Sequence, residues 1–250
     1  MSNKILSKNY SNLISSNLKV VILCGGIGSR LGDDTRSVPK PMVRIDKDPI
    51  IVHIMRIYKK HGFNNFILAT GYKGKVLKKF FKMNKEFNAK TIHTGLNSLT
   101  GTRLLKLKKH LSDENNFMLT YGDGVANINV KKLLKFHLKH KKIATMTVVR
   151  PPVRFGEVKI KNNLITNFEE KPQIMNNWIN GGFFVFNKEI FKFLGKKNEM
   201  LEKKPIKKMT RAKKLMAFKH HSFWQCMDTQ RDKKYLQNLL KTKKAPWTKK

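Results

Sequence analysis

The sequence predicts an α/β fold: a Rossmann-like, mostly parallel sheet flanked by helices, with a small hairpin and helical segments in the C-terminal third. Between residues 19 and 149, short apolar, β-branched runs alternate with segments whose apolar residues recur at helical spacing. Runs without polar alternation are typical of parallel strands buried on both faces, and repeated strand–helix alternation favours helices on both faces of one sheet. Further along, Asn162-Asn163 between two short runs predicts a β-hairpin.

The first expected strand covers 19–24 and ends in Gly25-Gly26, so a glycine-rich loop follows it. The other expected strands are 66–69, 91–93, 116–120, 143–149 and 182–186, and the hairpin pairs 156–160 with 164–168. The expected helices are 49–61, 75–85, 103–111, 130–140, 189–194 and 232–240. With no internal repeat and no long linker, we expect one domain over 19–250 and a flexible N-terminal tail over 1–18.

Composition excludes several classes of protein. With 40% hydrophobic and 10% aromatic residues, the chain can bury a sizeable core. Two cysteines exclude a disulfide scaffold and a zinc site built on cysteine pairs. The longest apolar runs fall far short of the ~20 residues that a membrane span needs, and the N-terminal stretch lacks the apolar segment of a signal peptide. We therefore expect a cytoplasmic protein without a membrane span.

The charge is extreme, because 53 lysines and arginines face only 16 aspartates and glutamates, a formal net charge of +37 at pH 7. Such a balance raises the alternative of a basic nucleic-acid-binding module. Most of the cations are lysine, whereas base readout favours the planar fork of arginine. The lysines are also spread over every helix-like segment, which favours compositional bias. We therefore expect no specific nucleic-acid partner, although anionic substrates should be drawn in.

The loop after the first strand carries the clearest chemical signal. Segment 23–31 reads LCGGIGSRL, and glycines after a buried strand let backbone amides approach phosphate oxygens closely. It matches neither the P-loop nor the dinucleotide fingerprint. Nearby, Pro39 and Pro41 fix the backbone around Lys40, as positioning a cationic side chain requires. The pattern favours phosphate binding over a plain strand-to-helix turn.

Two aspartates are candidate metal ligands in a chain that uses few acids. Asp123 follows the strand 116–120, and open α/β sheets bind ligands at the carboxyl ends of their strands. Mg²⁺ prefers hard oxygen ligands, commonly one or two carboxylates together with phosphate oxygens and water. The alternatives are an ordinary Asp-Gly turn for Asp123, and for Asp228 a place beside a helix cap at Thr229.

The glycine loop together with Pro-Lys-Pro-Met at 39–42 resembles the signature of the sugar-phosphate nucleotidyltransferases. The similarity extends along nearly the whole chain from residue 19. Further matching blocks are 49–55, 71–74, 100–104, 120–125, 154–156, 170–172, 179–184, 223–225, 227–229, 231–232 and 244–247. The late blocks, FWQCMDT at 223–229 and APW at 245–247, are similar to the cytidylyl branch in particular.

This resemblance implies a reaction in which a sugar 1-phosphate attacks the α-phosphorus of a nucleoside triphosphate and pyrophosphate leaves. It implies CDP-glucose formation from CTP and glucose 1-phosphate, with Mg²⁺ as cofactor, for polysaccharide and O-antigen biosynthesis. A related enzyme with another base or another sugar 1-phosphate stays open. We expect a homo-oligomer.

The resemblance also assigns roles to residues. It implies nucleotide binding by Leu23, Gly25, Gly26, Gly28, Ser29, Arg30, Lys40, Ser98, Arg103 and Gly122. Asp123 and Asp228 would bind the metal, and Glu170 and Lys171 would bind the sugar phosphate. The residues expected to act directly in catalysis are Arg30, Lys40 and Lys171. The plainer interpretations are a surface helix position for Arg103 and a solvated side chain for Lys171.

Overall fold

The computed structural model describes residues 18–151, 157–169 and 177–249. The expected tail, apart from its last residue, and the expected sugar-phosphate residues Glu170 and Lys171 lie outside these ranges. The strands are β1 Lys19–Cys24, β2 Asn65–Thr70, β3 Asn88–His93, β4 Asn116–Tyr121, β5 Gly124–Ala126, β6 Ala144–Val149, β7 Glu157–Lys161, β8 Leu164–Glu169, β9 Ile179–Asn187, β10 Leu215–His220 and β11 Trp224–Cys226. The helices are α1 Asp34–Ser37, α2 Ile50–Lys59, α3 Gly74–Met83, α4 Thr100–Lys106, α5 Val130–His140, α6 Lys204–Arg211 and α7 Gln230–Lys241.

The main sheet has seven strands in the order β10-β6-β9-β4-β1-β2-β3. β1 pairs in parallel with both β2 and β4, β3 with β2, and β10 with β6. Only β9 runs against its neighbours, antiparallel to β4 and β6. The predicted mostly parallel α/β sheet is therefore confirmed, and β1 and β4 end side by side at its centre.

The C-terminal third is more closely joined to this sheet than its sequence suggests. β9 and β10 are strands of the main sheet, while β7 and β8 form a separate hairpin. Asn162 and Asn163 both have positive φ, 48° and 64°, as a tight hairpin turn requires. β5 and β11 form a short antiparallel ladder, which fastens the segment after β4 to the segment before α7.

Several elements differ from the expectations. α6 and β10 were not predicted, because lysines interrupt the apolar pattern of α6 and β10 is a short edge strand without a fully buried residue. The helix expected over 189–194 is a 3₁₀ turn over Lys188–Lys192, and that over 103–111 begins earlier, as α4, and ends in a 3₁₀ turn.

Apolar side chains cover both faces of the sheet. One cluster packs α2 and α5 against one face, where Tyr58 of α2 stacks on Phe183 of β9. The other cluster packs α4 and α6 against the opposite face around Phe117 and Phe184. Burial on both faces explains the continuous apolar runs of β1, β2 and β4. Within the described ranges, no helix is both long and apolar enough to cross a membrane.

Candidate active site

The glycine loop after β1 forms one wall of a pocket of about 330 Å³ at the carboxyl ends of the central strands. Ligand sites in open α/β sheets lie at this edge. The pocket brings together most of the residues expected to bind nucleotide: Leu23, Gly25, Gly26, Gly28, Arg30, Lys40, Ser98, Arg103 and Gly122. Ser29 is not among the lining residues; it is exposed at the start of a 3₁₀ turn.

Arg103 lies beneath this pocket rather than on a surface helix face, and only 4% of its surface is exposed. Its two terminal nitrogens donate hydrogen bonds of 2.7 to 3.2 Å to one hydroxyl and four backbone carbonyls. The acceptors are Thr94 Oγ1 and the carbonyls of Gly25, Thr70, Gly95 and Leu96. Burial lowers the pKa of this guanidinium. Arg103 thus joins the loops that follow β1, β2 and β3.

Two glycines of the loop are required by this packing. A Cβ on Gly25 would lie 2.0 Å from Cζ of Arg103, so a side chain there would displace the guanidinium. Gly28 has φ of 72°, and a Cβ there would lie 2.7 Å from Cβ of Lys40. By contrast, a Cβ on Gly26 would meet nothing within 4 Å. The loop therefore packs closely against Arg103 and Lys40 on one side, while at Gly26 it faces open space.

Asp123 and Asp228, 105 positions apart in the chain, converge on one cation, the ammonium of Lys40. Lys40 Nζ lies 2.6 Å from Oδ2 of Asp123 and 2.5 Å from Oδ1 of Asp228. Burial by itself would lower the pKa of Lys40, but the two carboxylates outweigh it and raise that pKa. Although burial opposes it, Lys40 also lowers the pKa of Asp228. Lys40 and Asp228 are therefore both charged at neutral pH.

The backbone explains this convergence. β5 pairs with β11 so that Gly124 lies opposite Cys226, and the amide of Met227 donates to the carbonyl of Asp123 at 2.8 Å. Asp228 comes directly before Thr229, which caps α7. The two interpretations of Asp228, carboxylate of the site and neighbour of a helix cap, are therefore compatible.

The arrangement fits a divalent cation. Two carboxylate oxygens already share one cationic partner, and both belong to side chains that are about one quarter exposed. Among the residues in the described ranges, no group of three or more His, Cys, Asp or Glu side chains could hold a metal ion. A metal bound by Asp123 and Asp228 would draw its other ligands from phosphate oxygens and water, as Mg²⁺ commonly does.

Arg30 and Ser98 flank this centre. Arg30 is exposed, and its Nη2 lies 3.4 Å from Oδ1 of Asp228, so the guanidinium borders the carboxylate pair. Ser98 donates to the carbonyl of Thr94 at 2.5 Å and contacts Lys106, which places its hydroxyl in the wall of the pocket.

A second pocket, of about 480 Å³, adjoins the first and shares Arg30, Thr100, Tyr121, Asp123 and Met200 with it. Asp228 and Cys226 line only the second pocket. Burial raises the pKa of the Cys226 thiol to about 12, so the thiol stays protonated and contacts Asp228 as a weak donor at 3.7 Å.

Sequence reasoning assigned no role to four further side chains that line this second pocket, Tyr121, Asn180, Glu202 and Trp224. Tyr121 and Asn180 lie within two of the matching blocks, but Glu202 has no such motif around it. Trp224 also lines the pocket, and its indole donates to the carbonyl of Gly181 at 2.7 Å. An alternation of polar and apolar residues would not have revealed these positions, since they come from four separate segments.

A glycine loop at the carboxyl ends of a mostly parallel sheet, beside a lysine and two carboxylates, is typical of proteins that bind and transfer phosphate groups. Residues 19–239 match the family model described as nucleotidyl transferase, and the chain belongs to that family. Among curated relatives, a glucose-1-phosphate cytidylyltransferase of Salmonella typhimurium is 40% identical over 92% of this chain and 98% of its own length. A mannose-1-phosphate guanylyltransferase catalytic subunit beta of Drosophila melanogaster is 31% identical over 93% of this chain and 66% of its own.

Solved structures agree on the fold. A UDP-glucose pyrophosphorylase complexed with UDP-glucose superposes with a TM-score of 0.71, covering 91% of this chain and 99% of its own, at 16% identity. At that identity the likeness concerns the architecture alone.

Proposed function

We propose that this protein transfers a cytidylyl group from CTP to glucose 1-phosphate, giving CDP-glucose and pyrophosphate. The observation that carries the proposal is the meeting of two pockets at Asp123, with Asp228 and Lys40 at the same point. Two substrates that react at phosphorus need two adjoining pockets and a cationic centre between them. The cytidylyltransferase relative, matched over nearly its whole length, supports this choice of substrates.

In the proposed reaction an oxygen of the sugar phosphate forms a bond to the α-phosphorus of CTP. The bond from that phosphorus to the bridging oxygen of the β-phosphate breaks, and pyrophosphate leaves with the electron pair. The loop from Gly25 to Gly28 binds the triphosphate through its backbone, and Asp123 and Asp228 would hold Mg²⁺. When bound, Mg²⁺ supplies charge neutralisation of the phosphate oxygens.

The chain's own cations then have separate tasks. Lys40, held between the two carboxylates in this structure, is in reach of the phosphates of a nucleotide in the first pocket. Arg30 borders both pockets and stabilises charge on the phosphoryl group that passes between them. From the resemblance alone, Lys171 receives the sugar phosphate and Glu170 contacts the sugar.

The test is a pyrophosphate-release assay over four nucleoside triphosphates and a set of sugar 1-phosphates that includes glucose, galactose and mannose. We expect release only when both substrates and Mg²⁺ are present, with CTP and glucose 1-phosphate giving the highest kcat/KM. A preference for GTP and mannose 1-phosphate would support the alternative, a nucleotidyltransferase with another base and another sugar 1-phosphate. Absence of release with every pair would overturn it.

Two further properties belong to the same proposal. The protein would act in the cytoplasm, where CTP is made available, and would assemble as a homo-oligomer. Light scattering at assay concentration tests the second point, with a mass near the 29.1 kDa of one chain as the contrary result.

A further inference from the structure

Glu202 is a half-buried carboxylate in the wall of the second pocket, and no motif or comparison assigns it a role. We infer that Glu202 selects the sugar by accepting hydrogen bonds from ring hydroxyls of the sugar 1-phosphate. This inference rests on the proposed function, since it takes the second pocket as the place of the sugar.

The hydrogen-bond network forces Glu202 to act as an acceptor. Tyr121 Oη accepts a hydrogen bond from Nδ2 of Asn180 at 3.0 Å, so its one proton points to Oε1 of Glu202, 2.5 Å away. Thr100 Oγ1 accepts from the amide of Leu201 at 2.9 Å, so its one proton points to Oε2 of Glu202 at 2.6 Å. Each oxygen of the Glu202 carboxylate therefore already accepts one hydrogen bond from a donor that is itself held in place.

Two acceptor positions remain. An ionised carboxylate offers about four lone-pair sites, and Thr100 and Tyr121 occupy two of them. Because Glu202 lines the pocket, the remaining sites are available to a ligand that brings hydrogen-bond donors. The ring hydroxyls of a sugar are such donors, whereas a phosphate group at neutral pH is mainly an acceptor.

The charges around Glu202 orient the ligand. Within the ranges that the structure describes, no lysine or arginine forms an ion pair with Glu202, although the chain has 53 of them. The carboxylate therefore repels a phosphate, while Arg30, which also lines this pocket, attracts one. A sugar 1-phosphate consequently binds with its phosphate toward Arg30 and its hydroxyls toward Glu202.

A site built in this way discriminates by hydroxyl groups. A sugar that lacks the hydroxyl in contact with Glu202 would leave a half-buried charge without its partner. The expected penalty on kcat/KM is roughly tenfold to a hundredfold, the range of one hydrogen bond to a charged group.

The experiment measures kcat/KM for glucose 1-phosphate and for each of its monodeoxy analogues, in the wild-type protein and in Glu202→Gln. In the wild type, at least one analogue should fall by the penalty above. In Glu202→Gln that same penalty should shrink by roughly tenfold, while the penalties at the other hydroxyls and the KM for the nucleotide stay unchanged. Glu202→Asp, which keeps the charge but withdraws it by one methylene, should give an intermediate result and replaces the Gln variant if that one does not fold.

Glu199→Gln is the matched control, because Glu199 is a half-buried carboxylate three positions away that accepts from the amide of Gly195 outside both pockets. For every analogue, this control should leave the ratio of kcat/KM for glucose 1-phosphate to kcat/KM for the analogue at its wild-type value. If Glu202→Gln lowers kcat/KM for all analogues by one common factor, Glu202 has only a structural role and the inference is wrong.

Failure of the proposed function gives a different result. In that case the wild-type protein releases no pyrophosphate with any pair of substrates. Calorimetric titration of glucose 1-phosphate and the same analogues into the protein then gives the ratio of each analogue's Kd to the Kd of glucose 1-phosphate. If these ratios are the same in the wild type and in Glu202→Gln, the inference is wrong.

Discussion

The first pocket takes its shape from backbone, whereas the second takes it from side chains. Around the glycine loop, one buried guanidinium binds carbonyls of three neighbouring loops, and the glycines leave room for it. Around Glu202, Thr100 and Tyr121 donate to a carboxylate that lines the second pocket, and Asn180 donates to Tyr121. Under the proposed function, backbone groups would bind the triphosphate, while side chains would distinguish one sugar from another.

The largest effect should come from the point where the two pockets meet. Asp123→Asn removes one of the two carboxylates that share the cation, so we expect kcat to fall by roughly 10³-fold. The fold should survive, since the side chain is 28% exposed, and thermal unfolding checks this. Asp113→Asn, at an exposed position, is the control in the same pyrophosphate assay. Retention of most of the turnover would rule out a metal role for Asp123.

Lys40→Met should act on the nucleotide side. We expect KM for the triphosphate to rise roughly tenfold to a hundredfold, through loss of a charged contact. Lys40 also lowers the pKa of Asp228. Without Lys40 that pKa rises, so the acid limb of the pH–rate profile should move to higher pH.

Lys47→Met, at an exposed position, is the control for Lys40→Met. An unchanged acid limb together with an unchanged KM would show that the contact of Lys40 with the carboxylates has no part in the reaction.

Arg103→Lys tests whether the first pocket depends on its backbone frame. A lysine cannot supply the two-pronged set of donors, so several buried carbonyls lose their partners. We expect a loss of about 2 to 4 kcal/mol in the free energy of unfolding and a higher KM for the nucleotide. Urea denaturation measures the first, with the exposed Arg211→Lys as control. A variant as stable as the wild type would contradict this account of the loop.

The smallest effect lies outside both pockets. His137 of α5 is buried against β6 and β4. Its ring nitrogens lie 2.8 Å from Thr145 Oγ1 and 3.2 Å from Asn116 Oδ1, and burial lowers its pKa to about 4. The folded state therefore holds His137 neutral, while the unfolded chain takes up a proton below pH 6.5. Stability should fall as the pH drops from 6.5 toward 4, by about 1 kcal/mol between pH 7 and pH 5.5 from this group.

The exposed His93 provides the matched control for His137. His137→Gln should flatten the pH dependence of the unfolding free energy and leave the KM values of both substrates unchanged, whereas His93→Gln should do neither. A pH dependence that is the same in His137→Gln and in the wild type would refute the assignment.

The contrast between the pockets also explains what the sequence could predict. β1 and its glycine loop are contiguous, so their pattern predicts both the strand and the glycine loop that lines the first pocket. Asp123 could be predicted because it follows an apolar strand. Glu202 could not, because its neighbours Thr100, Tyr121 and Asn180 are far away in the chain and meet it only in the folded sheet.

Among the elements, apolar runs buried on both faces were predicted well, as β4 shows. α6 was not, because its few apolar residues suffice to anchor it only after the sheet offers a surface for them. The central position of β9 likewise depends on pairing with β4 and β6, which no local pattern specifies.

The close approach of Arg103 to Gly25 makes the two positions interdependent in evolution. A guanidinium at 103 tolerates nothing larger than hydrogen at 25, so a homologue with a bulkier residue after β1 should carry a shorter side chain at the other position. Engineering the loop for a different base should accordingly start from a paired library at both positions, because single replacements would collide or leave a void.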